Sequence, residues 1–157
     1  MSLGPPPFRF TPSTGNEVED PAFSPFFKLL TTLIVGACAA WLVQLAYAAP
    51  GSRSSTAVLW FVAGLALMVC TWWFILRSRT RIGRDGLYQR WIWDKHMPFD
   101  DLAYAKLIRV RGLEWLIAPR LYVRTLMGKF TVFYGATPAL VNEFERISTE
   151  LREFRKF

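Results

Sequence analysis

Between Asp20 and Asp85 the chain contains no aspartate or glutamate, and before Arg77 that stretch carries only two charges, Lys28 and Arg53. A solvated protein surface intersperses both signs of charge, so this absence excludes an ordinary soluble domain over these residues. Cysteine and histidine are scarce. Cys38, Cys70 and His96 are widely separated, which excludes a disulfide scaffold and any zinc-type spacing. Nucleophile–base and nucleotide-binding motifs are missing too, so no cofactor, no metal and no enzymatic role are expected.

What fills the acid-free stretch is apolar. Phe26 to Ala49 is a 24-residue run whose only charge, Lys28, lies near one end, and Thr56 to Leu76 is a 21-residue run with none. As a helix the first would extend roughly 36 Å at ~1.5 Å per residue, against a hydrocarbon core of ~30 Å. Backbone polar groups in lipid must be satisfied internally, so both runs are expected to be transmembrane helices (26–49 and 56–76) rather than buried core helices. Pro50 to Ser55, "PGSRSS", has the turn residues of a tight hairpin between them. Ala46-Tyr47-Ala48 matches the A-x-A pattern of a signal-peptidase site. The run before it exceeds a usual signal core, so retention is expected and cleavage stays open.

The interior of the runs is bland. Gln44 is the only strongly polar residue, which argues against an ion or proton pathway. Cys38 and Cys70 read as small apolar fillers rather than a disulfide. Gly36, Ala39, Ala40, Ala63 and Gly64 are small enough to permit close helix approach.

Charge then returns abruptly. Residues 77–157 hold 16 Lys/Arg against 9 Asp/Glu, the whole of the net +7. Arg77, Arg79, Arg81 and Arg84 follow the second run directly, with Trp72 and Trp73 as headgroup-level anchors inside it. Cations next to a span are retained in the cytoplasm, so both termini are expected there. The four arginines either only set this topology or contact anionic headgroups, each worth ~1 kcal/mol near the surface.

Residues 1–25 carry six of the ten prolines. This segment reads as a flexible cytoplasmic arm, either a spacer or a carrier of docking aromatics (Phe8, Phe10, Phe23, Phe26).

Residues 77–157 change period. "LYQRWIW" (87–93) and "LAYAKLIRVR" (102–111) alternate as strands. In the second, Leu102, Tyr104, Lys106, Ile108 and Val110 are expected on one side. Arg120 to Gly135 reads as a hairpin turning at Met127-Gly128. Thr137-Pro138 then has the form of a helix N-cap and first residue, and Leu140, Phe144, Ile147, Leu151 and Phe154 recur as one apolar face. The expected fold is a membrane α-helical hairpin plus an α+β domain of five or six antiparallel strands and a C-terminal amphipathic helix.

The stretch "TRIGRDGLYQRWIWDKHMPFDDLAYAKLIR", with its step Met97-Pro98-Phe99-Asp100-Asp101-Leu102, resembles the bacterial pleckstrin-homology (PH)-like family, as do the later hairpin and the terminal helix. The resemblance covers about half of the chain. It implies a curved, partly open barrel capped by the helix, attached to the bacterial cytoplasmic (inner) membrane, that binds proteins or lipids or oligomerises and is not an enzyme. The chain departs from the pattern in being short, with a strand missing or merged around Gly112 to Pro119.

Two further residue sets are weighed. Asp100 and Asp101 suit a turn better than shared acid–base work, since neighbours at a strand's start point to opposite faces. His96 reads as a solvated loop residue. "GLEWLIAP" (112–119) places Leu113, Trp115, Leu116 and Ile117 between strands, where loops are usually polar. They form a candidate interface with a membrane or another subunit, or else a buried strand or short helix. The expected partners are therefore the lipid bilayer and a protein partner or second copy. The basic residues follow no nucleic-acid reading element, and anionic-lipid sensing is the rival function.

Overall fold

The structure is a computed structural model that describes residues 6–48 and 56–156; the expected turn at Pro50–Ser55 lies outside the described residues. The chain forms two compact units, one of residues Pro25–Leu76 and the other of the segments on either side of it.

The first unit is a pair of apolar helices, α1 (Pro25–Ala48) and α2 (Thr56–Arg77), 24 and 22 residues long. Both are long and apolar enough to cross a membrane. Core helices of a soluble protein would be buried, whereas Ile75 is the only buried residue described in these two. Several of their polar side chains are satisfied locally, as a lipid environment favours. The hydroxyls of Thr31 and Thr32 donate to the Lys28 carbonyl, and that of Thr71 to Leu67. Lys28 Nζ donates to the Leu76 carbonyl at 3.1 Å, placing a cation on an unsatisfied acceptor at the C-terminal end of α2. Trp72 Nε1 donates to Thr32 Oγ1 at 2.8 Å, and Trp41 meets Phe61 edge-on. The expectation that small residues bring the helices close does not extend to the glycines. A Cβ on Gly36 or Gly64 would meet nothing within 4 Å.

The second unit, the β-domain, has seven described strands and a helix. Strands β1 (Val18–Pro21), β2 (Arg79–Ile82), β3 (Gly86–Arg90) and β4 (Lys95–Pro98) form one antiparallel sheet in that order. Strands β5 (Leu102–Ile108), β6 (Arg120–Thr125) and β7 (Phe130–Tyr134) form the other. Helix α3 (Pro138–Phe154) follows, capped as its sequence predicts. Thr137 Oγ1 accepts from Leu140 N–H and itself donates to Asp20. The apolar face of α3 is buried from Leu140 through Leu151 and completes the core with Phe99, Leu102, Leu121 and Phe133. Gly135 permits this packing, since a Cβ there would press on the Phe144 ring at 2.7 Å.

The sheets do not close into a barrel; among the described residues, side chains of the first sheet bind the free edge of β7. Thr80 Oγ1 donates to the Tyr134 carbonyl, Gln89 Oε1 accepts from Tyr134 N–H, and Lys95 Nζ donates to the Val132 carbonyl at 3.2 Å. Burial at this seam pushes the Lys95 ammonium below its ordinary pKa.

Three expectations are corrected. The Pro-rich segment is not a free arm. Its residues 18–21 are the edge strand β1, paired with β2 on the far side of the helical hairpin (Val18 opposite Ile82, Pro21 opposite Arg79). Phe8 and Phe10 are 3% and 2% exposed within the core, and Phe23 stacks on Tyr134. Proline suppresses regular hydrogen bonding, but an extended segment can still insert aromatic side chains. Second, a register irregularity between Leu102 and Tyr104 reverses the faces of β5, so that Ala105 is buried while Tyr104, Lys106 and Ile108 are exposed. Third, burial on α3 is not confined to the expected apolar face: Glu143 is buried and accepts from Ser13 and Arg146.

Phe10→Ala removes a core aromatic from the N-terminal segment and is expected to cost about 3–5 kcal/mol. Denaturant melts of the full-length protein in detergent check this; an unchanged midpoint would place Phe10 outside the core.

Candidate interaction surfaces

The β-domain has two ends, defined by its strands. At one end lie the last residue of β1, the first of β2 and the β3–β4 turn (91–94), because Pro21, Arg79 and Arg90 are aligned across the sheet. The long β5–β6 connection (109–119) belongs to the same end. Ser24 Oγ donates to the Trp115 carbonyl at 2.6 Å, Gly135 N–H to Pro119, and Ala136 N–H to Pro21. This is the end at which the chain leaves for α1 and returns from α2, and is called the exit end. The far end carries the β2–β3 turn (83–85), the step 99–101 and the β6–β7 turn (126–129). It is joined by Phe99 N–H to the Asp85 carbonyl and Leu126 N–H to Asp101.

The four arginines following the second apolar run are distributed by this geometry. Arg77 ends α2 and Arg79 begins β2 at the exit end. Strand β2 then carries Arg81 away at ~3.3 Å per residue, and Arg84 sits in the far-end turn. Arg79, Arg81 and Arg84 are matched to the N-terminal segment rather than to one another. Arg79 lies 3.6 Å from Glu19, and Arg81 3.3 Å from Glu17. Arg84 donates to the Gly15 carbonyl and the Asn16 side chain. The series is thus not one headgroup site. Of the acids in the first 20 residues, Glu17 and Glu19 are partners of β2, while Asp20 accepts from Thr137.

Leu113, Trp115, Leu116 and Ile117 are brought together in the 109–119 connection. It forms neither a strand nor a buried helix, only turns closed by Leu116 N–H and Ile117 N–H on the Leu113 carbonyl. Leu113, Trp115 and Ile117 are exposed. The loop is pinned by an ion pair, Arg109 Nε to Glu114 Oε1 at 2.5 Å. That hydrogen bond, reinforced by the positive charge, holds the Glu114 carboxyl below its usual pKa and raises that of Arg109. The neighbouring β3–β4 turn adds Ile92 and Trp93, the latter 78% exposed. "LYQRWIW" reads as one continuous strand, but β3 ends at Arg90 and releases these side chains.

A second surface lies on the outer face of the β5–β6–β7 sheet towards the far end, and sequence reasoning misses it. Tyr104, Arg124 and Phe130 are aligned across the three strands, and so are Lys106, Tyr122 and Val132. Tyr122 and Phe130 stack with centroids 6.1 Å apart. Tyr104, Tyr122, Arg124 and Leu126 line an open cleft of about 440 Å³. Beside it Phe130 is 65% and Met127 96% exposed. The signal for this patch was available in the apolar pair Leu126-Met127 at a hairpin turn, where polar residues are usual.

Asp100 and Asp101 serve the far-end turn, as their spacing suggests: the Asp101 backbone carbonyl closes it. His96 is in strand β4 rather than a loop and stacks on Tyr88 at 4.3 Å. Among the described residues no group of acids, histidines or cysteines is placed to hold a metal. Comparisons with protein-family models, curated proteins and solved structures find no match to this chain, so the PH-like resemblance has no support from them.

The folded Glu114 carboxyl titrates below its unfolded value, so the pair's contribution is complete above the ordinary carboxylate range and fades as pH falls through the lowered value. Amide protection in 109–119, corrected for intrinsic exchange, is expected to drop over that acid window in the native protein. In Glu114→Gln it is expected to be low and flat. Equal pH dependence in both would show that the pair does not hold the loop.

Proposed function

We propose that this protein is a membrane-anchored interaction module whose β-domain binds a protein partner through the far-end patch of Tyr104, Tyr122, Leu126, Met127 and Phe130. The observation that carries the reading is this patch itself. Monomeric surfaces rarely group large apolar side chains, and tyrosine, phenylalanine, methionine and arginine are the residues enriched at protein interfaces. It stands at the end of the β-domain opposite the one where the chain leaves for the apolar helices.

Anchoring is supported by the two apolar helices, and topology by the ladder that pairs β1 with β2. Strands on either side of the hairpin can pair only in one compartment, so a hairpin that spans the bilayer leaves both flanks on the same side. The density of arginine after α2 favours the cytoplasm, and hence a multi-pass protein of a bacterial inner membrane with both termini inside. The four-stranded sheet, the three-stranded sheet and the terminal helix give the β-domain the expected α+β architecture. Anionic-lipid sensing ranks second, because Arg79 and Arg81 face acids of the same chain.

The double variant Leu126→Ser/Met127→Ser tests the reading. Full-length protein extracted in mild detergent is expected to retain a stoichiometric partner, or a second copy by native mass, that the variant loses. The melting temperature should stay nearly unchanged, since exposed substitutions shift stability by about ±0.5 kcal/mol. Identical complexes from both proteins would refute the assignment, and so would a large loss of stability.

A further inference from the structure

We infer that the exit end of the β-domain is itself a lipid-binding surface, a collar of Ile92, Trp93, Leu113, Trp115 and Ile117 that lies in the headgroup layer and fixes how the domain is presented. The inference rests on the reading of the hairpin as membrane-spanning, and deepens it by naming the occupant of this face.

Three observations converge on lipid. The first is covalent. Ser24 is followed directly by Pro25 of α1, and Ser78 directly follows Arg77 of α2, so the exit end is within a residue or two of both ends of the apolar pair. The same Ser24 holds the Trp115 carbonyl, tying the 109–119 loop to the point where α1 begins. The second is composition. Two separate connections, 91–94 and 109–119, each expose tryptophan and branched aliphatics at this end, although they are distant in sequence and belong to different sheets. Tryptophan at headgroup depth places an apolar ring in the acyl boundary and its N–H among the polar groups. The third is charge. Arg90 and Arg111 accompany these side chains, whereas of the two acids in these connections, Asp94 and Glu114, the latter is neutralised by Arg109. Apolar side chains rimmed by cations match an anionic leaflet. The far-end patch differs in standing where the chain makes no connection to the apolar helices.

Site-directed spin labelling of the full-length protein in nanodiscs containing anionic lipid tests this. In a Cys38→Ala/Cys70→Ala background, single labels are placed through Trp93→Cys and Leu113→Cys in the collar, read independently. Asp85→Cys reports the far end, and Leu33→Cys the middle of α1. The ratio of oxygen to aqueous nickel-chelate accessibility is expected to be highest at Leu33 and several-fold higher at Trp93 and Leu113 than at Asp85. If Leu33 is in lipid but the collar labels are as aqueous as Asp85, the collar inference fails while the hairpin reading stands. Collar labels shielded from both oxygen and nickel would mean that protein, a partner or second copy, covers this face, which also overturns it. An aqueous Leu33 would overturn the hairpin reading and the collar together.

Discussion

The pairing of β1 with β2 is the constraint on which the rest of the structure depends. Four residues from before the apolar helices and four from after them form one ladder, with Glu17 and Glu19 facing the arginines of β2. A ladder of this length is weak alone. It persists because Phe8 and Phe10, on the same segment, are buried in the core, each side chain stabilising the fold by about 1.5–3 kcal/mol relative to exposure. In sequence the hairpin therefore lies between two paired strands of the β-domain. That topology makes the chain leave for the apolar pair and return from it at one end of the domain.

This division gives the two exposed apolar surfaces different meanings. Exposed side chains at the exit end stand where the chain leaves for and returns from its apolar helices, and tryptophan with branched aliphatics is the composition of a headgroup belt. Exposed side chains at the far end have no such continuity, and their grouping around a cleft between Tyr104 and Tyr122 suits a protein partner. Ion pairs of Glu19 and Glu17 with Arg79 and Arg81 of β2 lower the share of arginine available for headgroups, which is why the proposed function ranks protein recognition ahead of lipid sensing.

Much of the architecture was legible because it rests on periodicity and length. The two apolar runs, the hairpin turning at Met127-Gly128 with Gly128 at φ 85°, and α3 from Pro138 to Phe154 follow directly from residue patterns. The misses have specific causes. β1 is short and lies in a Pro-rich segment, and its partner is some 60 residues away across the hairpin (Glu19 opposite Arg81), so no local pattern announces it. The bulge after Leu102 inverts an alternation that otherwise reads cleanly. The far-end patch takes Tyr104, Tyr122 and Phe130 from three strands whose outward faces become known only once that bulge is placed.

The most direct measurement is a cross-strand disulfide between positions 19 and 81, which are Cα partners in the β1–β2 ladder. Directly opposed antiparallel residues lie about 4.5–5.5 Å apart at Cα, within disulfide reach. In membranes holding the Glu19→Cys/Arg81→Cys variant without Cys38 and Cys70, mild oxidation is expected to link the N-terminal peptide to the peptide containing position 81 nearly completely. The out-of-register pair Glu19→Cys/Asp94→Cys is expected to stay reduced. Absence of the first link, or equal yields from both pairs, would contradict a β-domain assembled across the hairpin.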